Sequence, residues 1–269
     1  MKTIAHLSDL HFGRENPAVV EGLVREIEAK RPSLVAVSGD LTQRARAGQF
    51  RAARAFLDRI PGPIVVVPGN HDIPLFNVVA RWLAPLGGYT RHINADPEPF
   101  FHDESLAVLG VNTARPGKWS DGRLSVRQIE RIRERFGPIP ERVFKVVVTH
   151  HPFIPAPGGR AHALVERGFQ ALEAAESCGV DLLLAGHLHM TFTGDVRPHY
   201  LSLRRSMLVA QAGTSTSHRH RGEPNTYNWI VVDPPALTFE QRGWNGAAFE
   251  PRVLTRYVKR GDEWIKDLP

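Results

Sequence analysis

The side chains of this 269-residue chain that suit metal-ion chemistry fall in five short segments. These are Ser8-Asp9-Leu10-His11, Ser38-Gly39-Asp40, Gly69-Asn70-His71-Asp72, Thr149-His150-His151 and Gly186-His187-Leu188-His189. Carboxylate, amide oxygen and imidazole, with no thiolate among them, make a donor set for Mn, Fe or Zn rather than for a structural zinc knot. Two such cations about 3.5–4 Å apart can hold the oxygens of a phosphoester, offset charge in the transition state and lower the pKa of a bridging water. The arrangement needs one carboxylate able to bridge. Asp9 and His11 are two apart, as are His187 and His189, so in extended segments each pair is expected to face one pocket. The glycines before Asp40, Asn70 and His187 permit sharp turns and close backbone approach.

The segments acquire meaning from the elements that carry them. Apolar runs at Ile4 to Leu7, Leu34 to Val37, Ile64 to Val67, Val143 to Val148, Leu182 to Ala185 and Met207 to Ala210 read as strands. Between them, apolar residues recur at helical spacing, as in Val19, Val20, Leu23, Val24 and Ile27, in Phe50, Ala53, Leu57 and Ile60, in Val126, Ile129, Ile132 and Phe136, and in Leu164, Gly168, Leu172 and Ala175. Pro17 suits a first helical turn, Arg31-Pro32 a helix stop and Pro61-Gly62-Pro63 a break. The pattern is an α/β layer architecture. Five of the strands deliver their polar residues at the carboxyl end, where open α/β sheets bind ligands. Tyr227 to Val232, Ala236 to Glu240 and Phe249 to Val258 are further strands with few helices between them. With Met207 to Ala210 they are expected to form a second, largely antiparallel sheet packed on the first. No linker or repeat divides the sequence, and residues 1–269 are expected to be a single domain.

Composition narrows the classes. Hydrophobic residues make up 42% and charged residues 23%, which argues against disorder. No apolar run nears the roughly 20 residues of a spanning helix or forms a signal peptide at the start, so no membrane partner and a cytoplasmic location are expected. The single Cys178 has no internal disulfide partner. The formal charge of +6 admits an anionic substrate. Nucleic acid is not favoured, because the arginines are scattered through presumed helices (Arg127, Arg131, Arg133, Arg135) rather than gathered in one long basic tract, and no aromatic-interleaved basic stripe is present. His92, His102, His162, His199, His218 and His220 read as surface residues.

Taken together and in this order, Asp9-x-His11, Gly39-Asp40, Gly69-Asn70-His71-Asp72, His150 and Gly186-His187-x-His189 resemble the five-block signature of calcineurin-like metallophosphoesterases, over roughly residues 3 to 217. The resemblance implies a four-layer α/β/β/α sandwich with two mixed β-sheets flanked by helices. It implies a binuclear centre in which Asp9, His11 and His189 hold the first metal, Asn70, His150 and His187 the second, and Asp40 bridges. In that pattern the ligand precedes the proline by two positions, which selects His150 over His151. His71 is a catalytic non-ligand that contacts the scissile phosphate or protonates the leaving oxygen, with Asp72 expected to orient it. The reaction implied is in-line attack by a metal-bridging hydroxide, with positioning and electrostatics supplying most of the acceleration.

Block spacing resembles the small bacterial branch that includes cyclic-nucleotide and glycerophosphodiester phosphodiesterases, which points to small diesters as substrate. The chain departs from that branch at Ile73-Pro74-Leu75, where an arginine is common. Asn70, His71 and Arg221 are the expected substrate contacts, Arg221 from the polar segment Gly213 to Asn225. Arg14 could bring a guanidinium near the metals, and Trp119 with Ser120-Asp121-Gly122 could wall the pocket. The alternatives are a phosphomonoesterase or protein phosphatase, a nuclease, and a non-catalytic metal-binding scaffold. A homo-oligomer is compatible with the Trp264 to Pro269 tail, as is docking of that tail on its own domain.

Overall fold

The computed structural model describes residues 1–158, 164–219 and 222–267. Two mixed sheets lie face to face with helices on both outer surfaces. The first sheet is built on β1 (Lys2–Leu7), β2 (Leu34–Ser38) and β3 (Ile64–Val67), which run parallel. The connections are α1 (Pro17–Lys30) and α2 (Ala47–Asp58), and the short helices α3 (Val78–Leu83) and α4 (Gly87–His92) follow β3. Asn16 caps α1 by accepting from the Ala18 N–H, Pro17 takes the first helical position and Arg31 closes it in the left-handed region.

The second sheet has the order β4-β5-β6-β7-β9-β8, formed by β4 (Phe100–His102), β5 (Leu106–Gly110), β6 (Phe144–Val148), β7 (Leu182–Ala185), β8 (Phe192–Asp195) and β9 (Leu208–Gln211). Here α5 (Val126–Phe136) and α6 (Gly168–Ser177) cover the outer face. The expected placement of the C-terminal strands needs correction. β9 joins the second sheet, parallel to β7, whereas β10 (Thr226–Asp233), β11 (Ala236–Trp244), β12 (Phe249–Arg260) and β13 (Glu263–Asp267) extend the first sheet antiparallel from β1. An apolar pattern announces a strand but not its neighbour. The pairing here is set by register, with Ile4 opposite Ile230 and Lys2 opposite Val232.

The core is correspondingly three-layered. Ile4, Leu34, Val67, Val108, Val146, Leu184 and Ile230 fill the space between the sheets. Leu7, Val37, Leu23, Phe50 and Tyr89 pack the first sheet against its helices, and Leu109, Val147, Ile132 and Leu172 pack the second. Within the tail, Trp264 sits on β13 and packs edge-on to Phe144, so that part of the tail docks on its own chain. Among the described residues no helix is long and apolar enough to cross a membrane.

Candidate metal centre

All five segments leave the carboxyl ends of β1, β2, β3, β6 and β7 and converge at one edge. The route is not the extended one that the two-residue spacing suggested. Asp9, His11, Asp40, His187 and His189 all have φ between 48° and 74°, in the left-handed region. Non-glycine residues enter that region rarely and at a cost, and such strain gathers at functional sites. Each pair therefore converges through tight left-handed turns rather than through strand alternation. Two glycines are required by the closeness of these turns. Gly39 has φ +88°, and a Cβ there would press on His150. A Cβ at Gly69 would collide with the Asp40 carboxylate.

Ligand-type atoms of Asp9, His11 and His189 lie within 4.8 Å of one another, as do those of Asp9, Asp40 and His150. His11 Nε2 is 3.5 Å from Asp9 Oδ1 and 3.6 Å from Asp40 Oδ2, His150 Nε2 is 3.4 Å from Asp40 Oδ1, and His189 Nε2 is 3.5 Å from Asp9 Oδ1. These gaps are long for hydrogen bonds, yet they suit donor atoms that each sit about 2.0–2.2 Å from a shared ion. Asn70 Oδ1 lies 3.1 Å from His150 Nε2, and the His187 ring centroid is 5.1 Å from that of His150. Asp9 Oδ1 and both ring nitrogens of His11 are buried without a hydrogen-bond partner. A buried carboxylate oxygen and imidazole left unpaired would be costly, and a cation is the partner that this donor set fits.

The electrostatics agree. Burial opposes ionisation of Asp9, but His189, His11 and His150 overcome it and hold the carboxyl below its ordinary value. Burial likewise opposes ionisation of Asp40, and His150 and His71 hold it down. Burial, reinforced by His150, lowers His187 to about 4. His150 itself is lowered by burial but raised further by Asp40 and Asp9, to about 9. The two carboxylates thus favour positive charge at this point, a condition that a divalent cation meets.

Supporting contacts fix the rings. His150 Nδ1 donates to the Ser38 carbonyl at 2.8 Å, which leaves Nε2 facing Asp40 and Asn70. His189 Nδ1 meets Thr214 Oγ1 at 2.6 Å. Asp9 Oδ2 accepts from Ser8 Oγ at 2.7 Å and from the His187 N–H at 3.0 Å. Such outer contacts orient ligands and set their tautomers. His151 is engaged at both nitrogens, with Thr113 Oγ1 at 2.7 Å and the Ser120 carbonyl at 2.9 Å, although it lies within reach of His150 and His187.

His71 stands beside this cluster, its ring edge-on to His11 at 4.8 Å between centroids. Its main-chain N–H donates to Asp40 Oδ1 at 2.9 Å. Nδ1 lies 2.8 Å from the Gln43 carbonyl, which can only accept, so the neutral ring carries its proton there. Nε2 then accepts from Arg219 Nη1 at 2.9 Å, and Arg44 Nη1 approaches the other side at 3.1 Å from Nδ1. Asp72 does not orient this ring as the sequence suggested. Its carboxylate accepts from the N–H groups of Leu41, Thr42 and Gly69 and from Thr42 Oγ1, and so ties the Asp40 and Asn70 segments together.

Arg221 and His220 lie outside the described residues, as does His162. Arg219, on the same segment as Arg221, is the arginine seen at His71, and Arg44 joins it from the segment after β2; neither stands out in the sequence. Arg14 has an exposed side chain. Trp119 lines a cavity of about 70 Å³ together with Gln43, Arg44, Asn70, His71 and Leu75, and its carbonyl accepts from Asn70 Nδ2 at 3.3 Å.

Two mixed sheets between helices, carrying His, Asp and Asn side chains at one strand-end edge, define a metal-dependent phosphoesterase. The chain belongs to the calcineurin-like phosphoesterase family, whose model matches residues 2–191. A probable cyclic nucleotide phosphodiesterase from Synechococcus is 25% identical over 71% of this chain and 74% of its own length. The glycerophosphodiester phosphodiesterase GpdQ of Enterobacter lignolyticus is 27% identical over 69% and 70%. Among solved structures, a dimetal phosphatase from Danio rerio superposes with a TM-score of 0.64 at 14% identity, covering 90% of this chain and 96% of that one. That likeness establishes the shared fold.

Proposed function

We propose that the protein hydrolyses small phosphodiesters at a two-metal centre held by Asp9, His11 and His189 on one side and by Asn70, His150 and His187 on the other, with Asp40 between them. The observation that carries this reading is the convergence of unpaired, buried Asp9 and His11 atoms with Asp40 and His150. The diester preference is supported by the relatives named as phosphodiesterases. Divalent cations here would supply Lewis-acid polarisation of the phosphoryl oxygens and activation of the attacking water.

The chain's own groups do the rest. Asn70 and His71 bracket the position of the scissile phosphate. Gln43 holds the Nδ1–H of His71, so that Nε2 is the nitrogen presented to substrate. Protonated, Nε2 can give its proton to the leaving oxygen; neutral, it can only accept. Arg219 occupies the place beside Nε2 that a phosphoryl oxygen would take, and is the group to turn onto that oxygen when substrate enters. Leu75 and Trp119 line the small cavity beside Asn70 and His71, where a leaving group would lie.

Enzyme loaded separately with Mn²⁺, Fe²⁺ or Zn²⁺ should turn over bis(p-nitrophenyl) phosphate at least about tenfold faster, in kcat/KM, than p-nitrophenyl phosphate. Preference for the monoester would overturn the diester reading. Arg219→Ala should raise KM about tenfold with a smaller change in kcat, since a charge-assisted contact to phosphate is lost. Weakened inhibition by inorganic phosphate, by a similar factor, is the check that does not depend on turnover.

A further inference from the structure

Beside the metal centre, α3 (Val78–Leu83) turns its chemistry inside out. A surface helix normally buries its apolar residues and exposes its charges. Here the arginine is inside. Arg81 is 5% exposed and donates to the carbonyls of Pro74, Pro116 and Lys118 at 2.7 to 3.0 Å. The apolar side chains are outside, with Trp82 at 61% and Leu83 at 82% exposure and Val78, Val79 and Phe76 between these values. Arg81 also stacks on the ring of Trp119, itself 68% exposed, at 4.7 Å. The Trp82 ring sits over Gly117. Arg81 therefore joins α3 and the 116–119 segment into one apolar platform, a contiguous patch of the kind that marks an interaction surface.

The platform has a cationic rim. On one side a groove of about 480 Å³, shared with Phe76, carries Arg44, Arg46 and Arg91. On the other a groove of about 390 Å³ carries Arg115, Lys118, Arg123 and Arg167. No Asp or Glu lines either groove among the described residues, although Glu166 pairs with Lys118 and Arg123 nearby. We propose that this platform docks the protein on an anionic lipid surface, with Trp82, Leu83 and Phe76 entering the headgroup region and the flanking arginines meeting lipid phosphates. Tryptophan favours that interfacial depth, and apolar insertion combined with basic residues gives reversible attachment to anionic bilayers. A second copy of the chain fits less well, because a two-fold contact would set each basic rim against its counterpart. Since Trp119 also bonds Asn70, docking would bring the mouth of the metal centre to the bilayer surface.

The test is flotation of the full-length protein with vesicles of phosphatidylglycerol and phosphatidylcholine in equal parts, and with phosphatidylcholine alone. Binding is expected to the anionic vesicles only and to weaken at high salt. The double variant Trp82→Ser with Leu83→Ser, and separately Arg46→Ala with Arg91→Ala, should each lower the bound fraction at least about tenfold. Leu254→Ser, at an exposed position on β12, should leave it unchanged. Unaltered thermal melting and unaltered hydrolysis of a soluble diester identify the variants as folded. No flotation with anionic vesicles, equal flotation with neutral ones, or indifference to the Trp82 and Leu83 changes would each overturn the proposal. So would a wild-type dimer in sedimentation that the same double variant dissolves. Vesicle binding and soluble-diester hydrolysis are separate readouts, so failure of one leaves the other standing.

Discussion

Asp40→Asn is expected to lower kcat/KM for a diester substrate on the order of 10³-fold and to reduce bound metal from about two ions per chain to about one. Asp40 is the group on which the cluster converges. Oδ1 accepts from the His71 N–H at 2.9 Å and lies 3.4 Å from His150 Nε2, while Oδ2 lies 3.6 Å from His11 Nε2. Its backbone is held at φ 52°, which asparagine tolerates, and an asparagine oxygen could still accept from His71. The substitution therefore removes charge with little change in shape. Two cations, one in each half of the site, would both lose the carboxylate that they share. The readout need not be activity. Metal at a hundredfold excess over its dissociation constant stabilises a folded protein by about 2.7 kcal/mol per site, so added Mn²⁺ should raise the Tm of wild type and raise that of Asp40→Asn by a clearly smaller step. Retention of full metal content and full activity by this variant would remove Asp40 from the bridging position.

How far the sequence is legible depends on what each feature rests on. β1, β2, β3, β6, β7 and β9 each carry a compact apolar run, and the polar residues at the ends of five of them stand out as a set in the amino-acid sequence itself. β4 and β8 give no such signal. β4 spans three residues, and β8 carries Gly194 and Asp195, so neither holds a pattern long enough to register. α3 escapes notice for a related reason, since its exposed apolar face and buried Arg81 violate the amphipathic pattern by which helices are found. The sheet assignment of the last strands failed because pairing partners are chosen by tertiary register. At the site, residue type and position point to the cluster, but not to how the chain reaches it. Left-handed conformations at Asp9, His11, Asp40, His187 and His189 are favoured by residue type only weakly, since Asp and His enter that region more often than most side chains yet seldom do so. The same holds for Ser38, Gln43, Thr214, Arg44 and Arg219, ordinary polar residues that gain their roles by meeting a histidine from a distant segment.

Replacement of His71 by alanine should cost about 10²–10⁴-fold in kcat while metal content stays at the wild-type level. The separation is possible because His71 is not placed like the other histidines. A ring nitrogen of His71 lies within 4.8 Å of ligand atoms of His11 and Asp40, but Nδ1 is committed to the Gln43 carbonyl and Nε2 to Arg219, and neither makes the 3.4–3.6 Å approach to a carboxylate that His11, His150 and His189 make. Its link to Asp40 is through the main chain, and alanine keeps that N–H. Two roles remain for the ring, and leaving-group chemistry divides them. If Nε2 protonates the departing oxygen, the loss should be large for an alkyl diester and small for a p-nitrophenyl diester, whose leaving group needs no proton. If the ring only binds a non-bridging oxygen, both substrates should suffer alike. Burial lowers the pKa of His71 while the Asp40 carboxylate raises it, with burial prevailing. The protonated form needed for acid catalysis is thus the minor one at neutral pH, and the alkyl-diester rate should fall as pH rises through the neutral range. An unchanged kcat for both diesters, with metal fully bound, would exclude the ring from either role and leave the acceleration to the charges around Asp40.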